Sequence, residues 1–190
     1  MDVRSADFIK GVVGTDGILY DGVPQIAFIG RSNVGKSSVI NSLVNRRSLV
    51  KVGKKPGKTT EINFFSINER EYYFVDLPGY GYARLGPSDR ERIEKLISWY
   101  LLYSEVKPLR VVLILDIKAG LTEFDRLTIE MLKEQGHAFV IVANKIDKLN
   151  QKERAKQIGQ IRADTGADAV LAYSAKEKVG VDELLRLLSA

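Results

Sequence analysis

Cysteine is absent from the 190 residues. Its absence excludes disulfides, thiolate metal sites and lipidation at a C-terminal Cys. No apolar run is long enough to cross a bilayer. The opening stretch "MDVRSADFIKGVV" lacks both the basic-then-apolar order of a secretory signal and a myristoylation glycine. The closing stretch "LLRLLSA" carries no prenylation site. No stable membrane anchor is therefore expected, and the cytoplasm is the expected address. Repeats, low-complexity tracts and linkers rich in Pro or Ser are also missing, which at this length leaves one domain spanning 1–190. The single histidine, His137, is given no role.

What is present is ample apolar material, 45% of the residues, arranged in alternating strands and helices. "QIAFIG" reads as a buried strand and "GKSSVINSLVN" as the helix after it. "EINFFSI" and "EYYFVDL", separated only by "NER", must form an antiparallel hairpin. "PSDRERIEKLISWYLLYSEV" reads as a helix with Ser88 and Glu91 spaced as a capping box, and its Trp99 and Tyr100 as core residues. "LRVVLILDI" is apolar enough for a sheet covered on both faces. "TEFDRLTIEMLKEQG", "HAFVIVA", "NQKERAKQIGQIRADTG", "AVLAYS" and "VDELLRLLSA" continue the alternation. The pattern predicts a three-layer α/β fold: a six-stranded, mostly parallel sheet with one antiparallel strand and five flanking helices. Residues 1–24 read as an N-terminal extension and 25–190 as the core. Ligands of such sheets bind beyond the carboxyl ends of the strands, and each motif below falls at such an end.

"GRSNVGKSS" follows the first of these strands and opens a helix. Gly30, Gly35, Lys36 and Ser37 fit the G-x-x-x-x-G-K-[ST] pattern of a P-loop. Its glycines let successive N–H groups point at an anion, and the helix adds the positive end of its dipole. Lys36 would reach the β- and γ-phosphates, and the Ser37 hydroxyl would ligate Mg²⁺. "FVDLPGYGYA" places Asp76 at another strand end, where it can hold Mg²⁺ opposite Ser37. Three residues later, the Gly79 N–H can bond a γ-phosphate oxygen only while that phosphate is present.

"VIVANKIDKL" carries Asn144, Lys145 and Asp147. The Asp147 carboxylate can accept from guanine N1–H and the 2-amino group. Adenine offers neither donor, so GTP is expected over ATP. Asn144 can orient the loop and meet the other edge of the base, and the Lys145 stem can lie along the ring. In "YSAKE" a backbone N–H of Ser174, Ala175 or Lys176 could reach guanine O6.

With these motifs in this order, the chain resembles the translation-factor-related P-loop GTPases with a Ras-like G domain. Within them it is similar to the EngB family (also YihA or YsxC) of the TrmE–Era–EngA–EngB–septin-like group. The resemblance spans essentially the whole chain. It is carried by "GRSNVGKSS", "KKPGKTTEINFF" and "VDLPGYGYA". It implies a GTPase, needing Mg²⁺ with GTP or GDP, that serves assembly of the large ribosomal subunit and normal septation and cell division. It also implies that Gly57, Lys58, Thr59, Thr60 and Glu61 form the first switch loop, with Thr59 closing over Mg²⁺. From the residues alone, Thr59 or Thr60 is only a hydroxyl in a loop rich in Gly and Lys. Family members often carry Thr where this chain has Asn144. The candidate nucleotide contacts are then Gly30, Arg31, Ser32, Asn33, Val34, Gly35, Lys36, Ser37 and Ser38, the switch residues 57–61, and Asp76, Leu77, Pro78 and Gly79. Asn144, Lys145, Ile146 and Asp147, with Tyr173, Ser174, Ala175 and Lys176, complete the set. Lys36, Thr59 and Gly79 are the candidate catalytic residues, and Ser37, Thr59 and Asp76 the candidate metal ligands.

Many regulatory GTPases place a water-orienting Gln directly after the sensor glycine. Here the residue is Tyr80, so slow intrinsic hydrolysis is expected, with the ring turned away from the phosphate. Asn33 has two open readings: it caps the loop, or it helps hold a K⁺ ion that acts where an arginine finger would. The net charge of +5 is mild, but "NRRSLVKVGKKPGK" concentrates Arg46, Arg47, Lys51, Lys54, Lys55 and Lys58 without one acid. Such a run suits RNA phosphates. No RRM, KH or zinc-knuckle signature accompanies it, so contact with ribosomal RNA would be electrostatic and shape-based. A monomer is expected. The competing reading is a signalling GTPase governed by protein partners without RNA contact.

Overall fold

The computed structural model describes residues 1–46, 48–50, 61–81, 86–166 and 170–189. Along the chain run β1 (Ala6–Val12), β2 (Gln25–Gly30), α1 (Lys36–Leu43), β3 (Ile62–Ile67), β4 (Tyr72–Asp76), α2 (Pro87–Ser98) and β5 (Arg110–Asp116). They are followed by α3 (Glu123–Glu134), β6 (Phe139–Asn144), α4 (Gln151–Thr165), β7 (Val170–Ala172) and α5 (Val181–Leu188).

The strands form one sheet in the order β1-β3-β4-β2-β5-β6-β7. β3 runs against both of its neighbours, and every other pairing is parallel. Chain connections leave β2 toward β3 and β4 on one side, and β4 leads to β5 on the other. The rim beyond Gly30 is therefore the point where the winding reverses, the crevice in which such sheets hold ligands.

Period-two alternation builds a core on each face. Ala27 and Ile29 of β2 face Ile97 of α2, Leu132 of α3 and Ile161 of α4 in one cluster. Ile26 and Phe28 belong to the other, with Ile40 of α1 and Leu184 of α5. Among the described residues, no helix is long and apolar enough to cross a membrane.

All six expected strands and five α-helices are present. The seventh strand, β1, lies within residues 1–24. It pairs with β3 through a register shift between Phe8 and Lys10, a bulge that bends it. Asn68, in the β3–β4 turn, steers it there: its side-chain oxygen accepts from the backbone N–H groups of Arg4 (2.8 Å) and Ser5 (3.2 Å).

The expected capping box at Ser88 and Glu91 is not formed. Gly86 takes the N-cap position with no side-chain bond, and Pro87 is the first helical residue. Proline suits that position because its missing N–H has no helical partner there, so Ser88 lies inside the helix. Glu91 instead pairs with Lys95 one turn on, at 2.7 Å. Past Ser98 the helix widens into a π-helical turn, Trp99–Tyr103, closed by Ser104 N–H donating to Trp99 C=O at 2.8 Å. Tyr100 is fully buried and Trp99 packs against the core, as expected.

Candidate functional site: the rim at the strand ends

Two glycines allow the loop after β2 its path. A Cβ on Gly30 would sit 2.5 Å from the Ile114 carbonyl oxygen of β5. Gly35 has φ +98°, and a Cβ there would meet the Asn144 amide nitrogen at 2.5 Å. α1 then starts at Lys36 with no side-chain cap, so its first N–H groups face the rim without a side-chain acceptor. Lys36, buried at the base of the loop, forms an ion pair with Asp76 at the end of β4. Their side chains are 9% and 2% exposed, so each charge depends on its partner for compensation. Ser37 and Ser38 are half-buried beside them.

The segment after Asp76 packs on the same loop. Leu77 N–H donates to Phe28 C=O at 3.1 Å. A Cβ on Gly79 would lie 3.1–3.2 Å from atoms of Ser32, whose hydroxyl donates to the Gly79 carbonyl at 3.2 Å. The Tyr80 ring points inward, 1% exposed, which matches the expectation that it turns from the rim.

Across the crevice, Asn144 is 2% exposed. Its amide donates to Val34 C=O at 2.9 Å and accepts from Ala175 N–H at 3.2 Å. One side chain thus joins the phosphate-type loop to the β7 loop. Lys145, held at φ +68°, donates to Asn33 C=O at 2.6 Å and to Asp116 Oδ2 at 2.7 Å. Burial pushes the Asp116 carboxyl up. The hydrogen bond and charge of Lys145 outweigh this and leave it below its ordinary value. Asp147 Oδ1 accepts from Ser174 Oγ at 2.8 Å, and Ile146 N–H donates to Tyr173 C=O at 3.1 Å.

Several sequence-predicted residues contribute only main chain. The side chains of Val34, Leu77 and Ile146 are buried. So is that of Tyr173, whose hydroxyl meets Ser42 Oγ at 2.6 Å and is pushed by burial up to about 12. Glu61 is exposed, and its carboxylate lies over Gly11 of β1 rather than over the rim. Lys176 is exposed. Arg46 is exposed and faces Asp7 at 3.6 Å. Gly57, Lys58, Thr59 and Thr60, and likewise Arg47, Lys51, Lys54 and Lys55, lie outside the described residues.

Sequence reasoning missed Asp116, which fixes Lys145, and Asp125, which accepts from the Tyr80 hydroxyl at 2.6 Å. Asp116 ends a strand, so the rule that found Asp76 and Asn144 could have found it. Asp125 carried only a capping-box signal, its spacing from Thr122, which says nothing of Tyr80.

The arrangement can do two things chemically. One half presents glycine-shaped backbone, a helix N-terminus, an ammonium and a carboxylate. The other presents a half-buried carboxylate on a loop braced at both ends. Groups suited to an anion and groups suited to a purine edge share one rim.

Comparison with known proteins agrees. Residues 25–145 match the family described as 50S ribosome-binding GTPase. The chain is 40% identical over 187 residues to "Probable GTP-binding protein EngB" of Clostridioides difficile, covering 97% of this chain and 91% of that protein. It is 43% identical over 189 residues to the protein of the same name from Chlorobaculum parvum, covering 99% and 97%. Among solved structures, "Crystal structure of a probable GTP-binding protein engB" superposes with a TM-score of 0.74 at 26% identity, covering 87% of this chain and 96% of that one. Era bound to MgGDPNP and a segment of 16S ribosomal RNA shares the fold, with a TM-score of 0.70 at 24% identity over 87% of this chain and 56% of that one. With its sheet order, its P-loop and its full-length likeness to these relatives, the chain belongs to the EngB family of P-loop GTP-binding proteins.

Proposed function

We propose that this GTPase is a slow, nucleotide-dependent switch in the assembly of the large ribosomal subunit, in the cytoplasm, with a consequent link to septation and cell division. The observation that carries the reading is the match of residues 25–145 to a family described by its binding to the 50S ribosome. The acid-free basic stretch from Arg46 to Lys58 supports it, because it includes the loop expected to respond to nucleotide.

The residues fit Mg²⁺ with GTP or GDP. Asp76 already holds a cationic group, the Lys36 ammonium, and the Ser37 hydroxyl lies next to that lysine in the chain. Among the described residues no group of three or more His, Cys, Asp or Glu could hold a metal by itself. A cation here would take oxygens from the nucleotide, as Mg²⁺ does. When bound, Mg²⁺ would neutralise charge on the β- and γ-phosphates.

Lys36 exchanges Asp76 for phosphate oxygens, and Ser37, Asp76 and Thr59 would hold the metal. The Gly79 N–H bonds the γ-phosphate. Asp147 accepts from guanine N1–H and the 2-amino group, and the Ala175 region meets O6. The buried Tyr80 ring cannot orient the attacking water, which is why the intrinsic rate is slow.

Cosedimentation with ribosomal particles at fixed salt tests the proposal. A GTP analogue should raise the bound fraction above that with GDP. Equal absence from the particles in both states would favour a protein-regulated signalling GTPase instead.

A further inference from the structure

Tyr80 directly follows the proposed sensor glycine, and the function above gives its hydroxyl nothing to do. Yet that side chain is among the most firmly held in the molecule. Its ring is 1% exposed and stacks on Phe124 of α3, with centroids 4.6 Å apart and planes at 26°. Its hydroxyl donates to Asp125 Oδ1 at 2.6 Å. Asp125 is itself 1% exposed. Its other oxygen accepts from Thr122 N–H at 2.9 Å and Thr122 Oγ1 at 2.7 Å. A single carboxylate therefore closes the capping box of α3 and grips Tyr80.

On the opposite side the same two residues are tied to the P-loop. Tyr80 C=O accepts from Ser32 N–H at 2.9 Å, and Gly79 C=O accepts from Ser32 Oγ at 3.2 Å. The peptides on either side of Tyr80 are thus held by the P-loop and its ring and hydroxyl by α3, which anchors the Gly79 Cα from which the Gly79 N–H projects. The next residue, Gly81, has φ +67°, a conformation that disfavours side chains.

A lone backbone N–H discriminates a third phosphate at least cost when it is aimed before the nucleotide arrives. Ordering it at that moment would consume binding free energy. An exposed tyrosine could not supply that aim, whereas a ring locked to a capped helix can. We propose that Tyr80 is a positioning residue for recognition of the terminal phosphate. Through its hydroxyl and Asp125 it anchors against α3 the residue that follows Gly79, and so the Cα from which the sensor N–H projects. The inference rests on the reading of Gly79 as the γ-phosphate sensor.

The test is calorimetric binding of GDP and of a non-hydrolysable GTP analogue to the full chain and to two variants. Tyr80→Phe keeps the ring and its stack and removes only the hydroxyl. Asp125→Asn attacks the same bond from the other side, and so tests the idea even if the first variant folds poorly. Each variant should lose about tenfold in affinity for the GTP analogue, the size expected for a hydrogen bond to a charged group. Affinity for GDP should stay unchanged. Equal loss for both nucleotides would overturn the proposal, because general loosening does not distinguish phosphates. Unchanged affinity for both would overturn it as well. If the unmodified chain binds GDP and the analogue equally, the sensor reading itself falls, and that result is separable from any effect of the variants.

Discussion

At the β6–β7 end of the rim, Asn144 and Lys145 are bonded to the main chain of neighbouring loops. At the β2–β4 end, Lys36 and Asp76 are bonded to each other. The first half is a brace: its polar groups tie three loops together across the crevice. The second half is self-paired: two nearly buried charges compensate each other, and on the proposed function a phosphate would compete for Lys36. A preformed half favours specificity at small reorganisation cost. A self-paired half keeps two buried charges tolerable until a ligand supplies better compensation.

The largest effect should come from breaking the self-paired half. Lys36→Ala leaves the Asp76 carboxylate, 2% exposed, without its partner, which should cost about 3–5 kcal/mol of stability as well as nucleotide binding. Urea unfolding of the nucleotide-free variant reads the first part. A midpoint equal to that of the unmodified chain would mean the pair does not compensate buried charge.

Asp147→Asn should act the other way round. Ser174 Oγ can still donate to the amide oxygen, so unfolding should be little changed, whereas GDP affinity should fall about a hundredfold. Calorimetry and denaturation on the same sample would separate the two, and a large loss of stability would erase the contrast between the halves.

The smallest effect concerns Asp116. Its native carboxyl is held below the ordinary carboxylate value, because the Lys145 bond outweighs burial. Its stabilising share is therefore complete above that value and disappears as pH falls through the lower native one. As pH falls from neutral to below the ordinary carboxylate value, Asp116→Asn should lose less stability than the unmodified chain. Parallel acid-induced losses in the two proteins would detach Asp116 from the brace.

Local signals made much of this legible. "QIAFIG" gave β2 at its observed limits, since every residue from Gln25 to Gly30 is buried, and the P-loop followed from a spacing of eight residues. β1 escaped because it is an edge strand. Only Ala6 and Val12 are buried within it, and Phe8 is 54% exposed, so no alternation announces it. The capping box at Ser88 failed because proline outcompeted it for the helix start one residue earlier. Within the site, residue types at strand ends were readable, but their partners were not. Asn144 meets Val34 across 110 positions and Tyr80 meets Asp125 across 45. Pairings of that reach are set by sheet order and helix placement, to which local periodicity is blind.

β1 also has a protective consequence. The strand it covers, "INFFSI", contains no charge and no proline, the composition of a segment prone to fibrillar stacking. With β1 in place the outermost edge instead carries Asp7, Lys10 and a bulge, features that discourage a stray chain from adding itself. Trimming the first dozen residues to obtain a tidier core would leave this uncharged hexapeptide as the open edge of the sheet.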